Sequence, residues 1–325
     1  MRGALGLLAL LLAAALLSLA VGETLIGPGA LWRGVWHGEG PGALAVRVIR
    51  GPRLVTALGA GAALGLSGAV LQTLLRNPLA SPDILGFNAG AGLAVVASIA
   101  LGWTLPPPLV AALGGIASAL LVTLLAHRPG RGDATLILVL VGLGVGFTLT
   151  AVTSLLSLRL PVTQAAEAQR WVAGSLAARN GGHALQVWVP GLALGAILAV
   201  QVRSLQLLEL GPELARGLGL RVEGARLALV GTAVLLAAAG VAVAGPVAFV
   251  ALMALPLGRR VTGARGTAGR LLSAAGGGAL VMALADLAGR AALPGIQLPV
   301  GVTVGVMGAP YLLWRLAREM DRGEL

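Results

Sequence analysis

Residues 68 to 86 read GAVLQTLLRNPLASPDILG. An apolar run of membrane-crossing length, begun by ALGAGAALGLS at 57–67, stops at an arginine, an asparagine and two prolines before turning apolar again. A helix needs about 20 residues to cross a bilayer, and both flanks approach that length. The polar loop between them is more specific than a connector requires, which makes its side of the membrane the first question.

The rest of the chain is equally apolar. Of 325 residues, 57% are hydrophobic and only 11% charged, with a mean hydropathy of +0.93. A soluble domain carries roughly a quarter of its residues charged, so most of this surface must meet lipid. All 23 basic residues are arginine, and the net charge is +11. This excess fits arginines beside cytoplasmic helix ends better than a nucleic-acid surface. The absence of cysteine excludes disulfides and thiolate chemistry. Fifty glycines and 3% aromatics suit close helix packing and not the alternating strands and aromatic girdles of a β-barrel. The fold class is therefore all-α and polytopic.

Ten candidate spans follow, near 4–22, 54–75, 87–104, 109–126, 135–157, 187–205, 226–243, 247–258, 271–288 and 302–317. The first has the charged start and apolar run of a signal peptide and is read as a retained helix. The eighth is short, because Gly245 and Pro246 break the chain before it; such a break needs cover from protein or a cavity. Placing the N-terminus inside puts fifteen arginines in cytoplasmic segments and eight outside. That predicts both termini in the cytoplasm. Four connectors then face the cytoplasm: the opening loop, HRPGRGD at 127–133, LELGPELARGLGLRVEG at 208–224 and RRVTGARGTAGR at 259–270. The third reads either as a polar connector or as short surface helices that dock a partner.

No catalytic constellation is present. His37, His127 and His183 fall in expected loops without ligand-spaced neighbours, and no GxxxxGK[ST] phosphate loop occurs. No cofactor or metal site is expected, and any ATP hydrolysis must come from another chain. Asp286 is the acid placed in a span, where a functional role competes with pairing to a helix-end arginine. The many GxxxG spacings read as packing.

In order and spacing, several motifs resemble the FecCD/BtuC-like permeases, the membrane subunits of ABC importers for iron–siderophore complexes, haem and vitamin B12. They are RVIRGPR at 47–53, GAALGLSGAVLQTLLRNPLASPDILGFNAGAG at 61–92, WVAGSL at 171–176 and ELGPELARGLGL at 209–220. AGPVAFVAL at 244–252, LADLAGR at 284–290 and LPVGVTVGVMGAPYLLWRL at 298–316 complete the set. The resemblance covers nearly the full length. It implies one transmembrane permease domain over 1–325 with about ten helices, the type II importer fold, in the bacterial inner membrane. It also implies a second permease subunit, identical or paralogous, two cytoplasmic ATPases and an extracytoplasmic binding protein.

By the same resemblance, 208–224 is the coupling segment, with Glu213, Ala215, Arg216, Gly217 and Gly219 against the ATPase. Arg76, Asn77 and Pro78 of the opening loop would lie beside it. Arg50, Arg53 and Arg290 match arginines that receive acidic residues of the binding protein. Two departures stand out. Gly51 replaces the leucine of the family's frequent RLPR, and Leu257 occupies a position that is often His or Gln. The wording ALMALP and the pair Arg259–Arg260 favour a siderophore substrate. Vitamin B12 or haem is the alternative within the family, and an ion-coupled secondary transporter or a channel the alternative outside it.

Overall fold

The computed structural model describes residues 2–22, 24–126, 134–293 and 295–320. HRPGRGD at 127–133, with His127, lies outside the described residues. Fourteen α-helices account for nearly all regular structure among the rest. They begin with α1 (Arg2–Ala20), α2 (Pro28–Trp36), α3 (Gly40–Leu44), α4 (Arg50–Leu74) and α5 (Phe87–Ala100). Next come α6 (Pro107–Ala126), α7 (Ala134–Leu158), α8 (Val162–Val172), α9 (Gly181–Glu209) and α10 (Pro212–Gly217). The chain ends in α11 (Val222–Ala244), α12 (Val250–Thr262), α13 (Thr267–Ala291) and α14 (Val300–Met320).

Ten of these, α1, α4 to α7, α9 and α11 to α14, correspond one by one to the ten expected spans. Seven segments among the described residues are long and apolar enough to cross a membrane, and the α4 span starts upstream at Gly42. Two of the other expected spans are short. α5 and α12 have only 14 and 13 residues, about 20 Å each at 1.5 Å per residue. α14, at 21 residues, has the length to cross, and its arginines, Arg315 and Arg318, lie in its last two turns.

The centre of the bundle is built on helix backbones that touch. α4 packs on α13 through Gly61 and Gly65, where a methyl group would overlap the carbonyls of Gly278 and Ala274. Gly68 places α4 equally close to the Ala251 carbonyl of α12, and Gly258 places α12 against the Ser273 carbonyl of α13. Without a hydrophobic driving force between helices in lipid, this close approach is what makes dispersion attraction effective. Around the trio, α9 and α11 pack on α4, and α1 lies on α13 with Leu7 and Ala14 buried. The outward surfaces of α7, α9 and α14 carry exposed Leu143, Phe147, Leu192, Val200, Val306 and Leu313, as lipid or a subunit partner requires.

The break anticipated at Gly245–Pro246 is present. α11 stops at Ala244, Gly245 takes φ +72°, and α12 starts after Phe249 at φ +66°. The cover such a break needs comes from WVAGSL. Gly174 and Gly245 approach so closely that a Cβ on either would strike the other's neighbourhood, and the Gly301 amide donates to the Gly174 carbonyl at 3.2 Å.

Two expected connectors are shorter than their sequences suggest. RRVTGARGTAGR is mostly helical, with residues 263–266 alone between α12 and α13, while 208–224 contains the six-residue α10. His183 is also not in a loop: it is the third residue of α9 and closes a capping box with Asn180. The three-helix junction gives a direct test. Gly278→Val should lower stability by about 1–3 kcal/mol through overpacking, read as earlier thermal unfolding in detergent, whereas Gly217→Ala, with open space around it, should not.

Candidate functional site

Helices α4 and α13 carry a charged cluster at each end. At the end away from α10, Arg53 of α4 and Arg290 of α13 grip the carboxylate of Asp286. Arg53 Nη2 lies 2.8 Å from Oδ1, its Nε donates to the same oxygen at 2.9 Å, and Arg290 Nε lies 3.1 Å from Oδ2. Asp286 is 2% exposed. The pairing with a helix-end arginine weighed for this residue is thus the observed arrangement, with a second arginine added.

Arg290 also donates to the Ser18 hydroxyl at 2.6 Å and to the Ser18 and Val21 carbonyls. Arg50 donates to the carbonyls of Leu19, Ala20 and Thr24. Most of these carbonyls belong to the end of α1 or the residues just past it, where partners inside the helix are lacking and a cation is favoured. The three arginines named from the sequence therefore meet, but each is only 8% exposed and engaged with its own chain. What sequence reasoning missed was their burial. The signal lay in Asp286 four residues before Arg290, an i,i+4 pair on one helix face.

Three arginines against one aspartate leave this end two charges positive. Removing Asp286 leaves Arg53 and Arg290 buried without their counter-ion, and breaking one partner of a buried pair costs about 3–5 kcal/mol. We expect Asp286→Ala to reduce the folded yield in detergent sharply, while Arg33→Ala, on an exposed residue, leaves it unchanged.

Three side chains of RNPLASPD have a task, the first of them at the α10 end. Arg76 takes φ +50° and donates to the carbonyls of Leu208 and Glu209, at 3.2 and 2.9 Å. The Asn77 side chain accepts the Leu79 amide at 2.8 Å, closing the turn around Pro78. Asp83 accepts from Asn88 Nδ2 in the first turn of α5. Burial pushes the Asp83 carboxyl up to about 6, against the downward pull of the Phe249 backbone amide and Asn88. The loop thus ties α4 to the last turn of α9, and α5 to the residue just before α12.

Because the folded chain holds the Asp83 proton more tightly than the unfolded one, stability falls as pH rises from about 3.8 to about 6. Asp83→Asn keeps an acceptor for the amides and removes this loss. Its melting temperature should equal or exceed the parent's at pH 7.5, with the advantage shrinking towards pH 4.5.

α10 itself stands on Ala215, which is fully buried, and turns Leu214 and Leu218 outward at 61% exposure each. Arg216 lies 3.3 Å from Glu223 in an exposed pair, a geometry worth little by itself. Gly217 and Gly219 have open space around them, and Gly219 adopts φ +84°. Glu213 occupies the first turn of α10, where a negative charge is favourable. The structure thus places Glu213, Ala215, Arg216 and Gly217 in α10 and Gly219 two residues past its end, and of Arg76, Asn77 and Pro78 it brings Arg76 onto the turn that feeds α10. Among the described residues, no group of three or more His, Asp or Glu side chains could hold a metal ion.

Residues 10–318 match the FecCD transport family. The chain belongs to that family. It is 38% identical over 319 residues to the achromobactin transport system permease protein CbrC of Dickeya dadantii, covering 96% of this chain and 90% of the relative. It is 41% identical over 277 residues to the ferric enterobactin transport system permease protein FepG of Escherichia coli K12, covering 82% and 81%. Among solved structures, an inward-facing metal-chelate type ABC transporter superposes with a TM-score of 0.81 at 28% identity, covering 96% of this chain and 97% of the other. This FecCD-family chain is accordingly a multi-pass membrane permease and not an ATPase.

Proposed function

We propose that this permease is the membrane-spanning subunit of an ABC importer for a ferric siderophore. The reading is carried by its near full-length kinship with permeases named for achromobactin and ferric enterobactin. Two permease subunits, identical or paralogous, form the translocation path. Two ATPases dock on the α10 end, and a binding protein delivers the chelate at the other.

An orientation with the α10 end and both termini in the cytoplasm is supported by arginine placement, fifteen against eight. The ATPase surface is supported by α10, where Leu214 and Leu218 project beyond the membrane-crossing segments. In water such leucines invite a protein partner, and Glu213, Arg216 and the two glycines supply polar groups and close backbone approach. Within the coupling segment 208–224, residues 213–219 then form the surface that meets the ATPase, while the Glu209 side chain is turned to α13.

At the other end, Arg50, Arg53 and Arg290 leave a surplus of two positive charges. We assign docking of the binding protein's acidic residues to this surplus. Buried as they are, they act by steering encounter, a salt-dependent effect, more than by direct surface pairing.

The decisive assay is uptake into proteoliposomes containing the permease, its ATPase and its binding protein. Ferric siderophore uptake should require ATP and survive an uncoupler; the reverse would favour an ion-coupled secondary transporter. Uptake of labelled cobalamin in place of ferric siderophore would move the substrate to the vitamin B12 branch. Arg216→Glu and Leu214→Glu should each weaken ATPase co-purification, Arg216→Glu by at least about tenfold for one charge-assisted contact of about 1.5–3 kcal/mol.

A further inference from the structure

The turn from α9 into α10 is held from two sides by charged groups of α4 and α13. Glu209 is the last residue of α9, and only Leu210 and Gly211 separate it from α10. Arg76, just past the end of α4, donates to the carbonyls of Leu208 and Glu209. Arg270, in the first turn of α13, bonds the Glu209 carboxylate, and the Thr267 hydroxyl donates to the same Oε1 at 3.2 Å. Arg270 also donates to Thr267 at 3.2 Å. Glu209 thus joins three elements: its backbone answers to α4 and its side chain to α13.

The arrangement is more than a helix cap. A cap needs only one cation near the last carbonyls, and Arg76 supplies it. The additional carboxylate bridge selects α13, the helix packed backbone to backbone on α4 through Gly61, Gly65 and Gly278. Those two helices are long, 25 residues each. Their opposite ends carry Arg53, Asp286 and Arg290. With side chains 19% and 29% exposed, the Arg270–Glu209 pair faces a cavity of about 340 Å³ lined by Gln72, Thr73, Arg76 and the pair itself. It is therefore less committed than the buried Asp286 cluster.

We infer that Arg76, Glu209 and Arg270 form a clamp that ties the α10 segment to the α4–α13 pair, so that displacement of α10 moves both helices and, with them, the arginine cluster at the far end. This rests on the reading of α10 as the ATPase surface. The three are positioning residues: they act through α10 and need touch neither ATPase nor substrate. In such a device the energy of ATPase contact at one end biases binding-protein contact at the other, and by linkage the reverse holds.

The test uses the complete complex in nanodiscs, comparing hydrolysis with and without binding protein. Glu209→Gln and Arg76→Met should retain ATPase co-purification and basal hydrolysis. Each should reduce stimulation by binding protein at least about fivefold, the lower bound of ordinary coupling between sites. Arg270→Lys, which keeps the charge, should recover most of the stimulation lost in Arg270→Met. Glu209→Gln combined with Arg270→Met should be no worse than the poorer single variant, because both remove one interaction.

Unchanged stimulation in Glu209→Gln and Arg76→Met overturns the clamp. So does loss of ATPase co-purification in them, which would make the residues part of the docking surface itself. Leu214→Glu separates the two ideas. If it leaves ATPase association intact, the α10 docking surface fails; if it abolishes association while the clamp variants remain fully stimulated, only the clamp fails.

Discussion

The interaction on which the rest depends is the meeting of three helix backbones without side chains between them. At Gly61, Gly65 and Gly68 of α4, and at Gly258 and Gly278 of its neighbours, the space for a methyl group is already taken by a carbonyl of the facing helix. In lipid, leucine against leucine gains nothing over leucine against an acyl chain, so association must come from fit. Some of the chain's 50 glycines serve this purpose. The result is a central unit of α4, α12 and α13 that resists relative sliding, because a backbone carbonyl seated against a glycine has no rotamer with which to adapt.

That rigidity explains where charge is tolerated. Asp286 with Arg53 and Arg290 sits at one end of the unit, and Glu209 with Arg270 and Arg76 at the other. Buried ions are costly unless paired and hydrogen-bonded, and rigid helices hold the geometry that pairing requires. The two clusters differ in how fully they are enclosed. Asp286 keeps almost no access to water, whereas the side chains of Glu209 and Arg270 keep 29% and 19% of theirs. The first cluster fixes the unit, and the second can rearrange at lower cost. Such asymmetry suits a protein in which one end must hold and the other must respond.

Much of this was legible in the sequence, and the limits are physical. Ten apolar segments were readable because lipid punishes exceptions to length and composition. The break at Gly245–Pro246 was readable because those residues leave few alternatives to the backbone. α10 was foreshadowed by charges among leucines in 208–224. In contrast, the hydrogen bonds from Arg76 to Leu208 and Glu209 span 132 and 133 residues, and no local pattern announces them. The burial of Arg50, Arg53 and Arg290 was also hidden. An arginine at a helix end looks the same in sequence whether it faces water or the open carbonyls of α1. The GxxxG spacings read as packing, and Gly61 and Gly65 do pack in this way, but sequence alone does not pick Gly61, Gly65 and Gly278 from the many.

Leu257 shows how a departure from family wording becomes a physical statement. It lies in α12 and lines a cleft of about 260 Å³ with Pro256, Arg260, Tyr311, Trp314, Arg315 and Arg318. The Arg318 guanidinium lies over the Trp314 ring, 5.4 Å from its centre. A histidine or glutamine at 257 would put a neutral hydrogen-bonding group on this wall, and histidine would add one that titrates near neutrality. Leucine removes both and packs against the core. Polarity in the cleft then rests on arginines, which stay charged at every physiological pH, and on the Tyr311 hydroxyl. The region therefore keeps a constant positive character where a histidine would have made it vary with pH.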